Sequence, residues 1–404
     1  MAADERFHSL DAVRACALLA GILLHALMSY MPGIREVNWP LADASTSPGL
    51  GILYFVIHLL RMTLFFVIAG FFARLLHERL GTKGFIKNRL RRIGLPLIAF
   101  MFLAMPLIVI AIIWGARQLG IKGPPKMEAP FPLIGPPVPW GHLWFLYALL
   151  VIYVVVLVSR AVIVAVDGKG ARREAFGGLV ELAFKWRLAP LVFSAPIAAS
   201  LFASPWWVEW QGIPSPIMGL VPNFPALLAY GGAVLVGWFL HRQQACLHML
   251  AADWPIYLVG ALAGSLVALY IGGITPKFKP LGLAGGERAL YTFAYVFAQW
   301  CWSFALIGLA MRRFTSPSAR WRYLADASYW MYLVHLPVVM LLQAWMLGWP
   351  LPWPVKLSLN LAMTGAVLIA SYHYLVRGTF MGQFLNGRKR PRAPAAAALQ
   401  MPAG

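Results

Sequence analysis

Apolar runs of about twenty residues recur along the chain, and they restrict its fold more than any other feature. A run of this length crosses the hydrocarbon core of a bilayer as one α-helix. The composition agrees, since 60% of the 404 residues are hydrophobic and only 12% are charged. We therefore predict an all-α fold, a polytopic membrane helix bundle of about ten transmembrane helices. The predicted spans cover residues 10–31, 49–76, 93–115, 143–166, 188–205, 223–241, 254–274, 290–311, 324–347 and 354–376.

The positive charge is concentrated in alternate connections between these spans. The formal net charge is +20, and Lys and Arg are abundant in segments 77–92, 160–187 and 312–323 and in the tail 386–404. Cytoplasmic connections carry an excess of Lys and Arg, so we expect both termini to be cytoplasmic. This distribution explains the charge without nucleic acid as a partner. The tail is also rich in Pro and Ala, and we predict a disordered segment after a membrane-embedded domain of residues 1–385.

Three ionisable residues, Asp11, Arg14 and His25, lie in the first predicted span. Such groups are costly in hydrocarbon, so they usually face a bundle interior or a water-filled path. Arg14 and His25 are eleven residues apart, which places them on one helix face about 16 Å apart along the axis. Imidazole suits a general base, so we predict that His25 takes a proton from a hydroxyl. Arg14 is predicted to hold an anionic group and to pair with Asp11; packing of His25 and an interfacial ion pair are the alternatives.

The second predicted span repeats this pattern with His58 and Arg61. Arg61 lies far from both ends of the span, so its side chain cannot easily reach the membrane surface. The span itself supplies no carboxylate. We therefore expect the partner of Arg61 to come from another helix or from a ligand, and we favour the ligand.

Two further histidines and one basic segment remain ambiguous. His142 opens a span within an aromatic stretch, which is equally typical of an interfacial belt. His335 precedes Pro337, where a local break in the helix is expected. The segment 83–92 is basic, and it could contact anionic lipid or attract a phosphorylated ligand. The sequence has no cluster of metal ligands, so we predict no metal site.

Taken together, these residues resemble acyltransferase family 3 of integral membrane proteins. The residues around His58, Arg61 and His142 look most like its glucan succinyltransferase branch. Ala69 departs from the family, which usually has Ser at that place. The matching motifs are Leu10-Asp11-Ala12-Val13-Arg14 with His25, Arg61-Met62-x-x-Phe65-Phe66-x-x-x-Gly70-Phe71-Phe72, Arg89-x-Arg91-Arg92-Ile93-x-x-Pro96, His142-Leu143-Trp144-Phe145-Leu146 and Tyr332-Leu333-x-His335-x-Pro337.

The resemblance implies transfer of an acyl group, succinyl or acetyl, from cytoplasmic acyl-CoA to a hydroxyl of a periplasmic glucan or other cell-envelope glycan. It places the chain in the bacterial inner membrane, with acyl-CoA (succinyl-CoA or acetyl-CoA) as donor substrate and no permanently bound cofactor. A homodimer is left open. His25, Asp11 and Arg14 are then the predicted catalytic residues, and Arg61 or His335 would stabilise the oxyanion. The predicted substrate-binding or acyl-CoA-binding residues are Arg14, Arg61, His58, His142, Trp144, His335, Arg89, Arg91 and Arg92.

A transporter of a sugar or lipid-linked glycan is the alternative function, with the same His and Arg side chains as its pathway. Transporters often contain internal repeats, and none is clear in this sequence. The two functions differ in whether the protein consumes acyl-CoA and releases free thiol. Residues 190–290 match the family motifs poorly, and the acceptor could bind there.

Overall fold

The computed structural model describes residues 8–34, 39, 41–121 and 131–386. Within these ranges the protein is a bundle of α-helices, which confirms the predicted all-α membrane fold. The helices are α1 His8–Leu27, α2 Pro48–Arg89, α3 Leu95–Gln118, α4 Trp144–Val166, α5 Ala171–Lys185, α6 Ala189–Phe202, α7 Phe224–Arg242, α8 Ala245–Gly272, α9 Gly285–Arg313, α10 Ala319–Met346, α11 Trp353–Ser371 and α12 Phe380–Asn386.

Eight helical segments of the described chain are long and apolar enough to cross a membrane. One of them, Pro48–Gln118, has 71 residues and contains the second and third predicted spans. The basic segment between those spans is helical rather than a loop, and the helix bends at Gly81 (φ 63°, ψ 177°). The fifth predicted span corresponds to α6, which has only 14 residues. The number of crossings and the side of each terminus stay predictions, and tail residues 387–404 lie outside the described part.

The family glycine in α2 has a packing role. A Cβ on Gly70 would overlap the backbone of Val234 in α7, and a Cβ on Gly237 would overlap the carbonyl of Val67 in α2. Small residues let membrane helices approach until their backbones touch. These two glycines therefore allow α2 and α7 to cross closely, while α2 also contacts α1.

α1 packs against α2, α9 and α10. Helix α10 in turn packs against α3 and α11. One side of α1 is exposed at Cys16 and Leu19, whereas Arg14 and His25 line a cavity inside the bundle. The ionisable stripe therefore faces the interior and not lipid.

Candidate active site

A cavity of about 1270 Å³ extends through the bundle between α1, α2, α4 and α10. The residues of α2 that line it run from Tyr54 to Arg79. That length of helix is about 37 Å, which exceeds the roughly 30 Å of a bilayer's hydrocarbon core. The cavity thus follows α2 over the full thickness of a membrane.

The two ends of the cavity differ in chemistry. At one end, which we call the basic mouth, the wall carries Arg79, Arg89 and Arg92. At the other end, the aromatic mouth, it carries Trp206 and Phe278, together with Trp39, Lys279, Gln211 and Ser215. A cationic opening attracts phosphorylated molecules, whereas aromatic faces with nearby polar groups suit a sugar.

The structure brings most of the predicted site residues to this one cavity. Asp11 lies behind the wall, 3.3 Å from Arg14. Arg91 is not brought there, because its side chain is exposed and its guanidinium lies 5.9 Å above the ring of Phe384. Which roles these side chains have stays a prediction. The predicted residues that line the cavity are Arg14, His25, His58, Arg61, Arg89, Arg92, His142, Trp144 and His335.

Three histidines, one from α1, one from α10 and one from the segment just before α4, meet within the cavity wall. The ring centroids of His25 and His335 are 5.3 Å apart, and those of His142 and His335 are 5.6 Å apart. Nδ1 of His25 is buried and has no hydrogen-bond partner among the residues that the structure describes. A buried polar atom without a protein partner is unusual, and at a cavity wall it is available to a ligand or to water.

The side chain of His142 is held by a hydrogen bond that Pro337 makes possible. A proline has no N–H, so the carbonyl four residues earlier, that of Leu333, loses its hydrogen bond within the helix. Nε2 of His142 donates to this carbonyl at 3.1 Å. The hydroxyl of Tyr332 donates back to the carbonyl of His142 at 2.7 Å. The motif around His335 therefore joins α10 to the start of α4.

The backbone at the end of α1 is fixed by α10 as well. The amide of Gln343 donates to the carbonyls of His25 and Ala26, each at 3.0 Å. These carbonyls lie in the last turn of α1, where carbonyl groups lack partners within the helix. Gln343 thereby fixes the turn that carries His25.

Arg61 lies against α1 at Gly21, one turn before His25. A Cβ on Gly21 would be 3.0 Å from Nη1 of Arg61. Within the described chain, no carboxylate oxygen is within ion-pair distance of Arg61, and its Nε has no hydrogen-bond partner. Arg61 is half-buried and lines the cavity. A cation withdrawn from water without a counter-charge is costly, so this geometry favours an anionic or strongly polarised ligand at Arg61.

Arg14 is tied to two helices. It donates a hydrogen bond of 2.8 Å to the carbonyl of Ala325 in α10, in addition to its contact with Asp11. Asp326 lies beside it in the cavity wall. The side chain is thus positioned by its neighbours while still lining the cavity.

Sequence reasoning missed Tyr54. Its ring lies 4.2 Å from that of His58, and both line the cavity. Tyr54 precedes His58 by four residues, which puts the two on the same helix face. This spacing was the sequence signal by which Tyr54 could have been predicted to lie beside His58.

The aromatic mouth is built from two connections in the poorly matching region. Trp207 donates to the carbonyl of Gly212 at 2.7 Å and so closes the connection between α6 and α7. Oε2 of Glu209 accepts from the backbone N–H of Leu281 at 2.9 Å, which links it to the connection between α8 and α9. Burial of Glu209 raises the pKa of its carboxyl group. The density of Trp residues after position 205 was the sequence signal for this mouth.

Comparisons of the sequence with known proteins find a family match and several relatives. A family model described as "Acyltransferase domain" matches residues 7–374. "Glucans biosynthesis protein C" of Salmonella schwarzengrund (strain CVM19633) is 25% identical over 354 residues, which are 84% of each chain. The protein of the same name from Shigella dysenteriae serotype 1 (strain Sd197) is 33% identical over 154 residues, 36% of this chain and 37% of that one. No solved structure matches the chain.

Proposed function

We propose, from the premise that this chain belongs to acyltransferase family 3, that it is a membrane O-acyltransferase acting on a periplasmic glucan or other cell-envelope glycan. The donor is cytoplasmic acyl-CoA. The basic mouth then faces the cytoplasm, and the protein lies in the bacterial inner membrane with both termini cytoplasmic. The name of the relatives, glucans biosynthesis protein C, supports a glucan as the acceptor.

One observation carries this proposal: a single cavity connects a cationic end to an aromatic end, and His25 lines it. The phosphates of CoA would bind Arg79, Arg89 and Arg92, since guanidinium groups bind phosphate in bidentate geometry. The pantetheine arm would extend past Arg14 toward His25. A thioester could thus reach the imidazole from one side while a hydroxyl arrives from the other.

The acceptor would bind at the aromatic mouth. The indole of Trp206 and the ring of Phe278 offer apolar faces to a sugar ring. Gln211, Ser215 and Lys279 supply polar groups to its hydroxyls. These five residues all fall within residues 190–290, the region in which we expected the acceptor to bind.

The proposed chemistry uses His25 as general base. The acceptor hydroxyl gives its proton to His25, and its oxygen attacks the thioester carbonyl. Arg61 stabilises the resulting oxyanion. The C–S bond then breaks, and the thiolate takes the proton from His25, so an ester and free CoA thiol are formed.

We propose succinyl as the acyl group, with acetyl as the alternative. A succinyl group carries a carboxylate, and the guanidinium of Arg61, which lines the cavity, could bind it. If Arg61 binds the carboxylate, Arg61→Met should reduce kcat/KM for succinyl-CoA far more than for acetyl-CoA. Equal losses for both donors would assign Arg61 to the oxyanion alone.

The function is tested with purified protein by measuring thiol release from acyl-CoA with and without glucan. We expect glucan-dependent release, and His25→Ala should lower it about 10²–10⁴-fold without reducing membrane insertion. His241→Ala is the matched control, because His241 is not among the residues that line the cavity, and it should retain activity. Transport of the glycan with no thiol release would favour the transporter and contradict the proposal.

A further inference from the structure

The hydrogen bonds of His335 identify which of its nitrogens carries the proton. Nδ1 lies 2.7 Å from the carbonyl oxygen of Tyr332. A carbonyl can only accept, so Nδ1 must donate. A neutral imidazole has one N–H, and Nε2 of His335 therefore carries a lone pair. In this state His335 cannot donate from Nε2 to an oxyanion, the role that the sequence left open to it.

The same reasoning assigns the opposite tautomer to His142. Its Nε2 donates to the carbonyl of Leu333, so the other nitrogen, Nδ1, carries the lone pair. That atom is buried, and it has no partner within the described ranges. Both neighbours in the cluster thus offer acceptors, and neither competes with His25 as a donor while neutral.

Among the described residues, no hydrogen bond fixes the side chain of His25, in contrast to those of His142 and His335. Its Nδ1 is buried without a described partner, and its ring centroid lies 5.3 Å from that of His335 with the planes at 44°. At this separation a modest rotation brings facing ring nitrogens into hydrogen-bond range. Catalytic hydrogen bonds are often long before substrate binds.

We propose that His335 is a positioning residue for His25. Its Nε2 accepts a hydrogen bond from Nδ1–H of His25, so Nε2 of His25 keeps the lone pair that takes the proton of the acceptor hydroxyl. The inference rests on the proposed function. His335 stays neutral throughout, because the proton moves from the hydroxyl to Nε2 of His25 and then to the departing thiolate.

The surroundings of His25 make such an acceptor necessary. Arg61 lies beside the same turn of α1, and His58 is on the same face of α2. The positive charge of Arg61 opposes the formation of an imidazolium at His25. A lone pair directed at Nδ1–H stabilises that imidazolium through a hydrogen bond and holds the ring in one orientation, as the third member of a catalytic triad does, but without its negative charge.

Two substitutions separate positioning from packing. In His335→Asn the amide N–H₂ replaces Nδ1–H and can still donate to Tyr332, but no atom replaces Nε2. In His335→Gln a polar group remains near the position of Nε2. We expect His335→Asn to lower kcat about 10- to 100-fold and to leave the KM for acyl-CoA and the KM for the acceptor unchanged. Loss of a hydrogen bond that orients a functional histidine has an effect of this size elsewhere. His335→Gln should restore part of kcat.

The test that does not depend on activity is ¹⁵N NMR of histidine-labelled protein in detergent. We expect the Nδ1–H tautomer for His25 and His335 in the wild type, and loss of that preference at His25 in His335→Asn. The matched control, His248→Asn, changes an exposed histidine and should alter neither the spectrum of His25 nor kcat. An unchanged His25 tautomer, or a wild-type kcat in His335→Asn, overturns the proposal.

This design separates two failures. If the wild type releases no thiol with any acceptor, the proposed function fails, and the tautomer of His25 still decides whether His335 positions it. If the wild type is active and His335→Asn matches it in kcat, the function stands and the positioning role fails. Melting temperatures are measured for both variants, and a higher kcat in His335→Gln than in His335→Asn, without a higher melting temperature, excludes lost stability as the cause.

Discussion

Gly21 has no side chain, and this allows Arg61 to lie against α1 beside the turn of His25. In Gly21→Ala the added Cβ, 3.0 Å from Nη1, would move the guanidinium by a few tenths of an ångström. We expect kcat to fall about tenfold, since small misplacements of catalytic groups are costly. Stability should not fall, because Ala is a better helix former than Gly by about 1 kcal/mol.

The measurement for this prediction is kcat together with the melting temperature in detergent. Gly365→Ala is the matched control, since no described atom lies within 4 Å of the Cβ it would add. A wild-type kcat in Gly21→Ala would show that the exact position of Arg61 does not matter for turnover.

Single residues differ in how far the sequence predicted them. Arg14 and His25 could be placed on one stripe, because helical spacing alone fixes relative direction along a helix. The cavity that they share could not be predicted, because it depends on which helices pack together. Arg91 shows the limit: it adjoins Arg92 in sequence, yet successive helical residues point in different directions, and only Arg92 lines the cavity.

At the scale of the helix, Pro337 in α10 leaves a backbone carbonyl free to accept a hydrogen bond from His142. Pro337→Ala restores an N–H that can donate to the carbonyl of Leu333, so it competes with Nε2 of His142. A proline in a helix interior costs about 3 kcal/mol, and one hydrogen bond returns about 1 kcal/mol. We therefore expect unchanged or higher stability with a transfer rate lowered about tenfold.

Thermal melting and thiol release, measured on the same preparation, check this prediction. Pro106→Ala is the control, because Pro106 lies inside α3 with an exposed ring and does not line the cavity. Full activity in Pro337→Ala would mean that the proline serves the fold of α10 alone.

The fold was more predictable than the mouths of the cavity. Apolar run length indicates where helices form, so a described helix overlaps each predicted span, but the ends of these helices and helix α5 could not be predicted in this way. The helical course of the basic segment was missed, because charge suggests an exposed segment without fixing its backbone. The connections of the aromatic mouth have no periodicity, and contacts such as that of Glu209 with Leu281 join segments far apart in sequence.

At the scale of the whole molecule, a buried ion pair links two parts of the chain that are far apart in sequence. Nζ of Lys356 lies 2.7 Å from Asp43, and each side chain is 3% exposed. The pair joins the connection after α1 to the start of α11. Lys356→Met leaves a buried carboxylate, so we expect a loss of about 3–5 kcal/mol in the free energy of unfolding.

Chemical or thermal unfolding in detergent measures this loss. Adding Asp43→Asn to Lys356→Met should recover part of it, since the uncompensated charge is then removed. Glu78→Gln, which breaks a pair whose Glu78 side chain is 47% exposed, should cost less than about 1 kcal/mol. Equal losses in the two single variants would contradict the importance of burial.

The most direct test of the account is the sidedness of transfer in proteoliposomes. Labelled succinyl-CoA is supplied outside vesicles that hold glucan inside, and a protease-accessible C-terminal tag identifies molecules with the basic mouth outward. We predict that the enclosed glucan becomes labelled by the wild type and stays unlabelled with His25→Ala. For molecules in the same orientation, we also predict no labelling when the glucan is outside and succinyl-CoA is inside. Labelling only when donor and acceptor share one compartment would contradict a single cavity that joins the two faces of the membrane.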